Sequence, residues 1–388
     1  MEFRFSAEDE AFRAEVRAFL RQELPPEWEP GTGRESVTDE QWAFMRHFTR
    51  RLAARGWLTL AWPRAYGGAG ASPTRQLIYN EEMSYAGAPA ATGSGIALTG
   101  PTLMVHGTEE QKRRFLPPIA RGEVVWCQLF SEPGAGSDLA SLQTRAVADG
   151  DEFVVNGQKI WTSGAHRSDW AILLARTDPD APKHRGITYF LVDMKSPGIT
   201  VRPLVNMLNG HAFNEVFLDN VRIPRDQVVG EVNRGWYVAT TTLDFERSGI
   251  GRFATNRRLL EDLTAVARAG LRGRERERAR LALAGHVVEN EVGRLLAYRV
   301  AWMQSAGKIP NYEASMTKLY GSELQQRIAN TAVRLLGPAG QLLDGGRAPL
   351  NGRIPATYMA TVAATIAAGT SEIQRNIIAT RGLGLPRG

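Results

Sequence analysis

Three regimes of hydrophobic patterning follow one another along the chain. Up to about residue 123 the apolar positions recur at helical spacing, and the breaks fall at capping signals. Ser6 with Asp9 predicts a helix to about Leu24, stopped by Pro25-Pro26, and Thr38 with Gln41 predicts one through Ala54 that ends at Gly56. Ser72-Pro73 opens a third to about Tyr85, and Thr108 with Gln111 a fourth over 109–119. The stretch 86–102 is small and apolar enough for a buried helical segment. From about Val124 to Pro224 the period drops to two, with β-branched runs at 144–148, 152–155, 170–175, 187–192, 199–203 and 214–218. From Trp236 the helical period returns in long segments, 236–269, 275–307, 311–337 and 356–381. The expected fold is α+β and multidomain: an N-terminal α-helical domain at 1–123, a middle β-barrel-like domain at 124–232 and a C-terminal four-helix bundle at 233–388.

Composition narrows the function classes. The 388 residues are 43% apolar and 23% charged, ordinary for a globular protein. The net charge of +6 favours anionic small molecules but is too diffuse to predict a nucleic-acid partner. The charge run at 271–280, LRGRERERAR, reads as a solvated helix face or a subunit contact. Cys127 is the sole cysteine, which excludes a disulfide framework and a cysteine-rich metal site; its apolar neighbours predict a buried structural thiol. No His pair has metal spacing, so no metal is expected. No apolar run reaches membrane-span length, and MEFRFSAEDE does not read as a signal peptide, so a cytoplasmic location away from membranes is expected. There is no G-x-G-x-x-G after a strand, no P-loop and no G-x-S-x-G elbow.

The candidate chemistry gathers between Gln128 and Arg176. One loop runs Phe130-Ser131-Glu132-Pro133-Gly134-Ala135-Gly136-Ser137-Asp138, and a second is Trp161-Thr162-Ser163-Gly164. Glycines let backbone N–H groups approach a ligand, hydroxyls at Ser131, Ser137, Thr162 and Ser163 can bond ring edges or phosphates, and Trp161 offers an aromatic face. By themselves these residues suit either a loop pair around a planar cofactor or an ordinary polar surface hairpin.

Three motifs, SEPGAGSD at 131–138, NGQKIWTSG at 156–164 and AGTSEIQRNIIATRGLGLPR at 368–387, resemble the acyl-CoA dehydrogenase family of flavoproteins over nearly the whole chain. The resemblance implies that family's fold, FAD as electron acceptor, a homotetramer, and removal of the pro-R α-proton and a β-hydride from an acyl-CoA to give a trans-2-enoyl-CoA. Electrons then pass to an electron-transfer flavoprotein. It assigns Gln128, Phe130, Ser131, Gly136, Ser137, Trp161, Thr162 and Ser163 to the flavin loops. Arg334 and Gly337, in RLLGP, fall where a partner subunit's loop holds the adenosine end, and Thr370, Ser371 and Glu372 fall at the pyrophosphate and ribose. The same resemblance assigns Ser137, Tyr237, Asp244, Arg247, Ala368 and Gly369 to the acyl-CoA pocket.

An α-C–H beside a thioester is weakly acidic and needs a carboxylate base. Many relatives place a glutamate directly before the C-terminal Gly-Thr, where this chain has Ala368. Enzymes like isovaleryl-CoA dehydrogenase instead carry it in a D-x-E-R pattern, matched here by Asp244-Phe245-Glu246-Arg247, so Glu246 is the expected base. The backbone N–H of Ala368 remains available to the thioester carbonyl. An Arg-x-x-Phe-Gly run that reaches the neighbouring subunit's FAD in many relatives is missing from 269–280. That departure keeps a non-catalytic or heteromeric partner subunit open as an alternative, and a flavin oxidase of the same fold is another.

Overall fold

The computed structural model describes residues 4–26, 28, 37–89, 91–244 and 249–386. In chain order the helices and strands are α1 (Ala7–Glu23), α2 (Asp39–Ala54), α3 (Pro73–Ala86), α4 (Gly100–His106), α5 (Glu109–Ala120), β1 (Trp126–Leu129), β2 (Arg145–Asp149), β3 (Glu152–Lys159), β4 (Trp170–Arg176), β5 (Ile187–Asp193), β6 (Ile199–Leu204) and β7 (Phe213–Pro224). Then come α6 (Gly235–Asp244), α7 (Ile250–Gly270), α8 (Gly273–Ser305), α9 (Tyr312–Leu336), α10 (Arg353–Ala364) and α11 (Ser371–Ile377). The predicted caps form. Ser6/Asp9, Thr38/Gln41 and Thr108/Gln111 are reciprocal capping boxes, and Ser72 accepts from the Arg75 N–H ahead of Pro73.

The chain packs as two compact units that interleave in sequence. The first comprises Met1–Glu35, Ala71–Ala88 and Arg247–Gly388, so α1 and α3 join α7–α11. Its core runs from Leu77 through Phe253, Leu260, Tyr298, Leu324 and Ile328 to Ile354. The second comprises Ser36–Gly70 and Pro89–Glu246 and holds α2, α4, α5, the sheet and α6.

The sheet of that second unit has strand order β1-β4-β2-β3-β7-β6, with β5 paired to β4. Along β4, Ile172 and Leu174 enter one core, while Ala171, Leu173 and Ala175 enter another. β5 alternates the same way, with Tyr189 and Leu191 on one side and Phe190 and Val192 on the other. Both strands are thus apolar on both faces, which explains their unbroken hydrophobic runs. The register of β3 against β7 shifts between Val155 and Gly157. At that bulge a Cβ on Gly157 would lie 2.5–2.8 Å from Thr144, so only glycine allows the approach.

Two predicted helices are broken. The 236–269 segment is α6 and α7, because Gly249 at φ +65° is left-handed and cannot sit inside a right-handed helix. The 356–381 segment divides into α10 and α11 around Ala368 (φ +53°) and Gly369 (φ +85°). The 86–102 stretch is helical only from a π-helical turn at Gly95–Thr99 that leads into α4. Strand β1, four residues in parallel register with β4, is an additional element. Among the described residues no helix is long and apolar enough to cross a membrane.

Candidate functional site

The first loop leaves β1 at Leu129. Phe130 is buried, and Glu132 and Ala135 exchange backbone hydrogen bonds of 2.9 and 3.0 Å to close a turn over Pro133-Gly134. Gly136 and Ser137 beyond it are exposed, and an added Cβ on Gly134 or Gly136 would meet only open space. The Ile160 N–H donates to the Ser131 carbonyl at 2.9 Å, which joins the first loop to the start of the second.

Beneath that junction lies an ion pair that the sequence reading did not single out. Lys159 is 0% exposed; its Nζ donates to Glu132 Oε1 at 2.7 Å and to the Phe130 carbonyl at 3.0 Å. The other donors to Glu132 are the backbone N–H groups of Gln143 (2.6 Å) and Thr144 (2.9 Å). Burial pushes the Glu132 carboxyl up, but Lys159 together with Thr144 and Gln143 outweighs it and holds the group below the ordinary carboxylate value. Burial lowers the Lys159 ammonium to about 8 against the opposing pull of Glu132, so both groups are ionised at neutral pH.

In the second loop Trp161 has φ +60°, a left-handed conformation rare for a bulky residue. The residue is 58% exposed, and its indole packs edge-on against Phe213, ring centroids 6.0 Å apart. Thr162 and Asn214 exchange backbone hydrogen bonds of 3.0 Å, and the Gly164 N–H donates to the Ala212 carbonyl at 3.0 Å. Asn214, also missed from sequence, is fully buried; its Nδ2 donates to the Thr162 carbonyl at 2.9 Å and its Oδ1 meets His211 Nε2 at 2.7 Å. His211 stacks on His166 with centroids 4.1 Å apart. Thr162 Oγ1 is buried without a hydrogen-bond partner, and Ser163 is exposed.

These features fit a planar, hydrogen-bonding cofactor such as FAD: an open aromatic face held in a costly backbone conformation, a hydroxyl awaiting a partner, and a small-residue loop beside them. Gln128, Phe130, Ser131, Gly136, Ser137, Trp161, Thr162 and Ser163 all belong to this loop pair and the strand end that feeds it. Tyr237, in the first turn of α6, is exposed with the Arg234 guanidinium 4.5 Å from its ring centroid. Asp244 ends α6, while Glu246 and Arg247 lie outside the described residues.

In the other unit Thr370 caps α11, its Oγ1 accepting from the Ile373 N–H at 3.2 Å. Glu372 follows, and backbone hydrogen bonding at the helix start together with the Thr370 hydroxyl lowers its pKa. Ser371 Oγ is buried without a partner. Lys318 of α9 steadies the preceding turn by donating to the carbonyls of Gly369 (2.7 Å) and Ala364 (3.2 Å). Arg334 and Gly337 lie at the far end of α9, 16 residues or roughly 24 Å along the helix from Lys318, so they stand apart from the Ala368–Glu372 group. Arg272 donates to the carbonyls of Ala269 and Leu271 at 2.9 Å each and so caps the end of α7. Among the described residues no cluster of three or more His, Cys, Asp or Glu side chains is placed to hold a metal ion.

Three domain families match in order: acyl-CoA dehydrogenase N-terminal domain over residues 6–123, middle domain over 127–221 and C-terminal domain over 233–383. This chain belongs to the acyl-CoA dehydrogenase family. As a member of that oxidoreductase family it is 40% identical to acyl-CoA dehydrogenase IpdE1 of Mycobacterium tuberculosis, across 97% of this chain and 98% of that protein. It is 43% identical to acyl-CoA dehydrogenase FadE34 of the same organism across 87% of this chain, and there it spans 46% of the relative's length. Among solved structures it superposes on the Tcur3481-Tcur3483 steroid ACAD with TM-score 0.90 and 37% identity, covering all of both chains. It superposes on the ChsE4-ChsE5 complex from Mycobacterium tuberculosis with TM-score 0.86 and 34% identity, again covering both chains fully.

Proposed function

We propose that this acyl-CoA dehydrogenase family member carries out FAD-dependent α,β-dehydrogenation of an acyl-CoA thioester to the trans-2-enoyl-CoA, with electrons passed to an electron-transfer flavoprotein. What carries the reading is the open face of the two loops, with Trp161 exposed in a left-handed conformation and the Thr162 hydroxyl buried and unpartnered. Ser131, Gly136, Ser137, Trp161, Thr162 and Ser163 hold the flavin end, and Thr370, Ser371 and Glu372 the phosphate and ribose portion, with Arg334 and Gly337 serving the adenosine end of a partner subunit's cofactor. When bound, FAD supplies the acceptor for the β-hydride.

The protein's own part is proton removal and carbonyl polarisation. Ala368 brings no carboxylate, and its methyl side chain cannot act as a base. Glu246, in Asp244-Phe245-Glu246-Arg247, is the base that takes the α-proton. The Ala368 N–H, in the turn steadied by Lys318, donates to the thioester oxygen as negative charge grows there. The family resemblance assigns Ser137, Tyr237, Asp244, Arg247 and Gly369 to binding of the acyl-CoA. The likeness to the Tcur3481-Tcur3483 steroid ACAD supports a bulky, steroid-derived acyl group as the substrate class.

Anaerobic addition of acyl-CoA thioesters to purified protein tests this. A matched substrate bleaches the flavin absorbance, and Glu246→Gln binds the same thioester but bleaches it at least about a hundredfold more slowly. Normal bleaching by Glu246→Gln would remove Glu246 from the mechanism. A second reading has support of its own: 269–280 lacks the Arg-x-x-Phe-Gly run, Arg272 is engaged in capping α7, and two similar structures, Tcur3481-Tcur3483 and the ChsE4-ChsE5 complex, pair two named components. In that reading a sister chain completes the cofactor site, and FAD uptake appears only when the two chains are mixed. Oxygen consumption set against carrier reduction separates a dehydrogenase from an oxidase.

A further inference from the structure

We propose that the buried Lys159–Glu132 pair is a positioning device that locks the two cofactor-facing loops into one rigid body. The inference rests on the flavin site proposed above. The carboxylate of Glu132 gathers the N–H groups of Gln143 and Thr144, where the chain leaves the first loop for β2, and the ammonium of Lys159 at the end of β3. That ammonium also takes the Phe130 carbonyl, at the point where the chain enters the first loop. Entry and exit of the first loop and the approach to Trp161 are thereby tied to one ion pair, and the 2.9 Å Ile160–Ser131 hydrogen bond closes the same junction. The β3 bulge serves this arrangement. Its register shift at Gly157 precedes Lys159 by two residues, and Gly157 packs against Thr144, whose N–H is one of the Glu132 donors.

Stability alone does not account for the pair. Replacing a buried ion pair by apolar groups of similar size is often neutral or stabilising, whereas removing one partner is costly. A geometric role predicts something different: with both charges gone the fold recovers, but the loops lose their common anchor.

The test compares wild type, Lys159→Met, Glu132→Asp and the Glu132→Leu/Lys159→Met double variant in the full chain. It uses thermal midpoint, amide hydrogen exchange of the apoprotein over 131–138 and 161–164, and the Kd of added FAD from quenching of protein fluorescence. The double variant is expected to melt within a few degrees of wild type, to exchange loop amides at least about tenfold faster and to bind FAD at least about tenfold more weakly. Glu132→Asp, charged but one carbon shorter, is expected to show the same loop loosening in milder form, and it stands as the test if the double variant does not fold. Wild-type loop exchange in the double variant, or in Glu132→Asp in its place, overturns the proposal. So does recovery of exchange and FAD affinity in step with the melting temperature, which a merely structural role would produce. Should wild type bind no FAD, alone or with a sister chain, the flavin reading falls, while the apoprotein exchange data still judge the brace.

Discussion

Asn214→Ala isolates the latch that holds the second loop. The side chain is fully buried and makes two hydrogen bonds, from Nδ2 to the Thr162 carbonyl at 2.9 Å and between Oδ1 and His211 Nε2 at 2.7 Å. Each is worth about 1 kcal/mol net. The truncated volume adds a cavity cost of about 1 kcal/mol. The Thr162 carbonyl keeps its backbone donor, the Asn214 N–H, so it is not orphaned and no further desolvation penalty applies. The expected loss is therefore about 2–3 kcal/mol, or ~5–10 °C in the melting temperature of a unit of this size. Urea unfolding followed by fluorescence checks it: the midpoint should fall with the slope unchanged. A shift of less than about 0.5 kcal/mol for Asn214→Ala would refute the latch, since surface positions already lie in that range.

Gly157→Ala should cost about 1–3 kcal/mol through the clash with Thr144, read as a lower thermal midpoint. Cys127 is buried and burial pushes its thiol up to about 12, so it should resist an alkylating thiol reagent at pH 8 in the native state and react once unfolded. Lys159 has a folded pKa of about 8, below its unfolded value, so between those two values the unfolded state binds more protons and this group makes stability rise with pH. Subtracting the Lys159→Met stability curve should expose that slope above pH 8.

What was legible in the sequence was local. The capping boxes of α1, α2 and α5 need only four consecutive residues, and β4 and β5 declare themselves by apolar runs that fill a core on each face. The helix breaks were hidden because left-handed backbone at Ala368 has no side-chain signature, and Gly249 is one glycine in an otherwise periodic stretch. Strand β1 is four residues long and depends on parallel pairing with distant β4. Both candidate cofactor loops stood out by their glycines, hydroxyls and Trp161, yet their supports did not. Lys159 and Glu132 sit inside the recognised motifs, and the available signal was a lysine at an inward position of β3; Asn214 reaches Thr162 from β7, a pairing that only tertiary structure creates.

The interleaving of the two units bears on synthesis. Arg13 of α1 contacts Glu81 and Glu82 of α3, and Tyr298 of α8 completes the cluster by donating to Glu81 at 2.9 Å. A nascent chain emerging from the ribosome therefore carries Glu81 and Glu82, paired with Arg13 and Arg17 alone, for more than half the chain's length before Tyr298 appears. Early helices of this protein must wait, or be chaperoned, until the final third is translated, and premature termination anywhere in α7 or α8 strands them with an exposed apolar flank around Leu77.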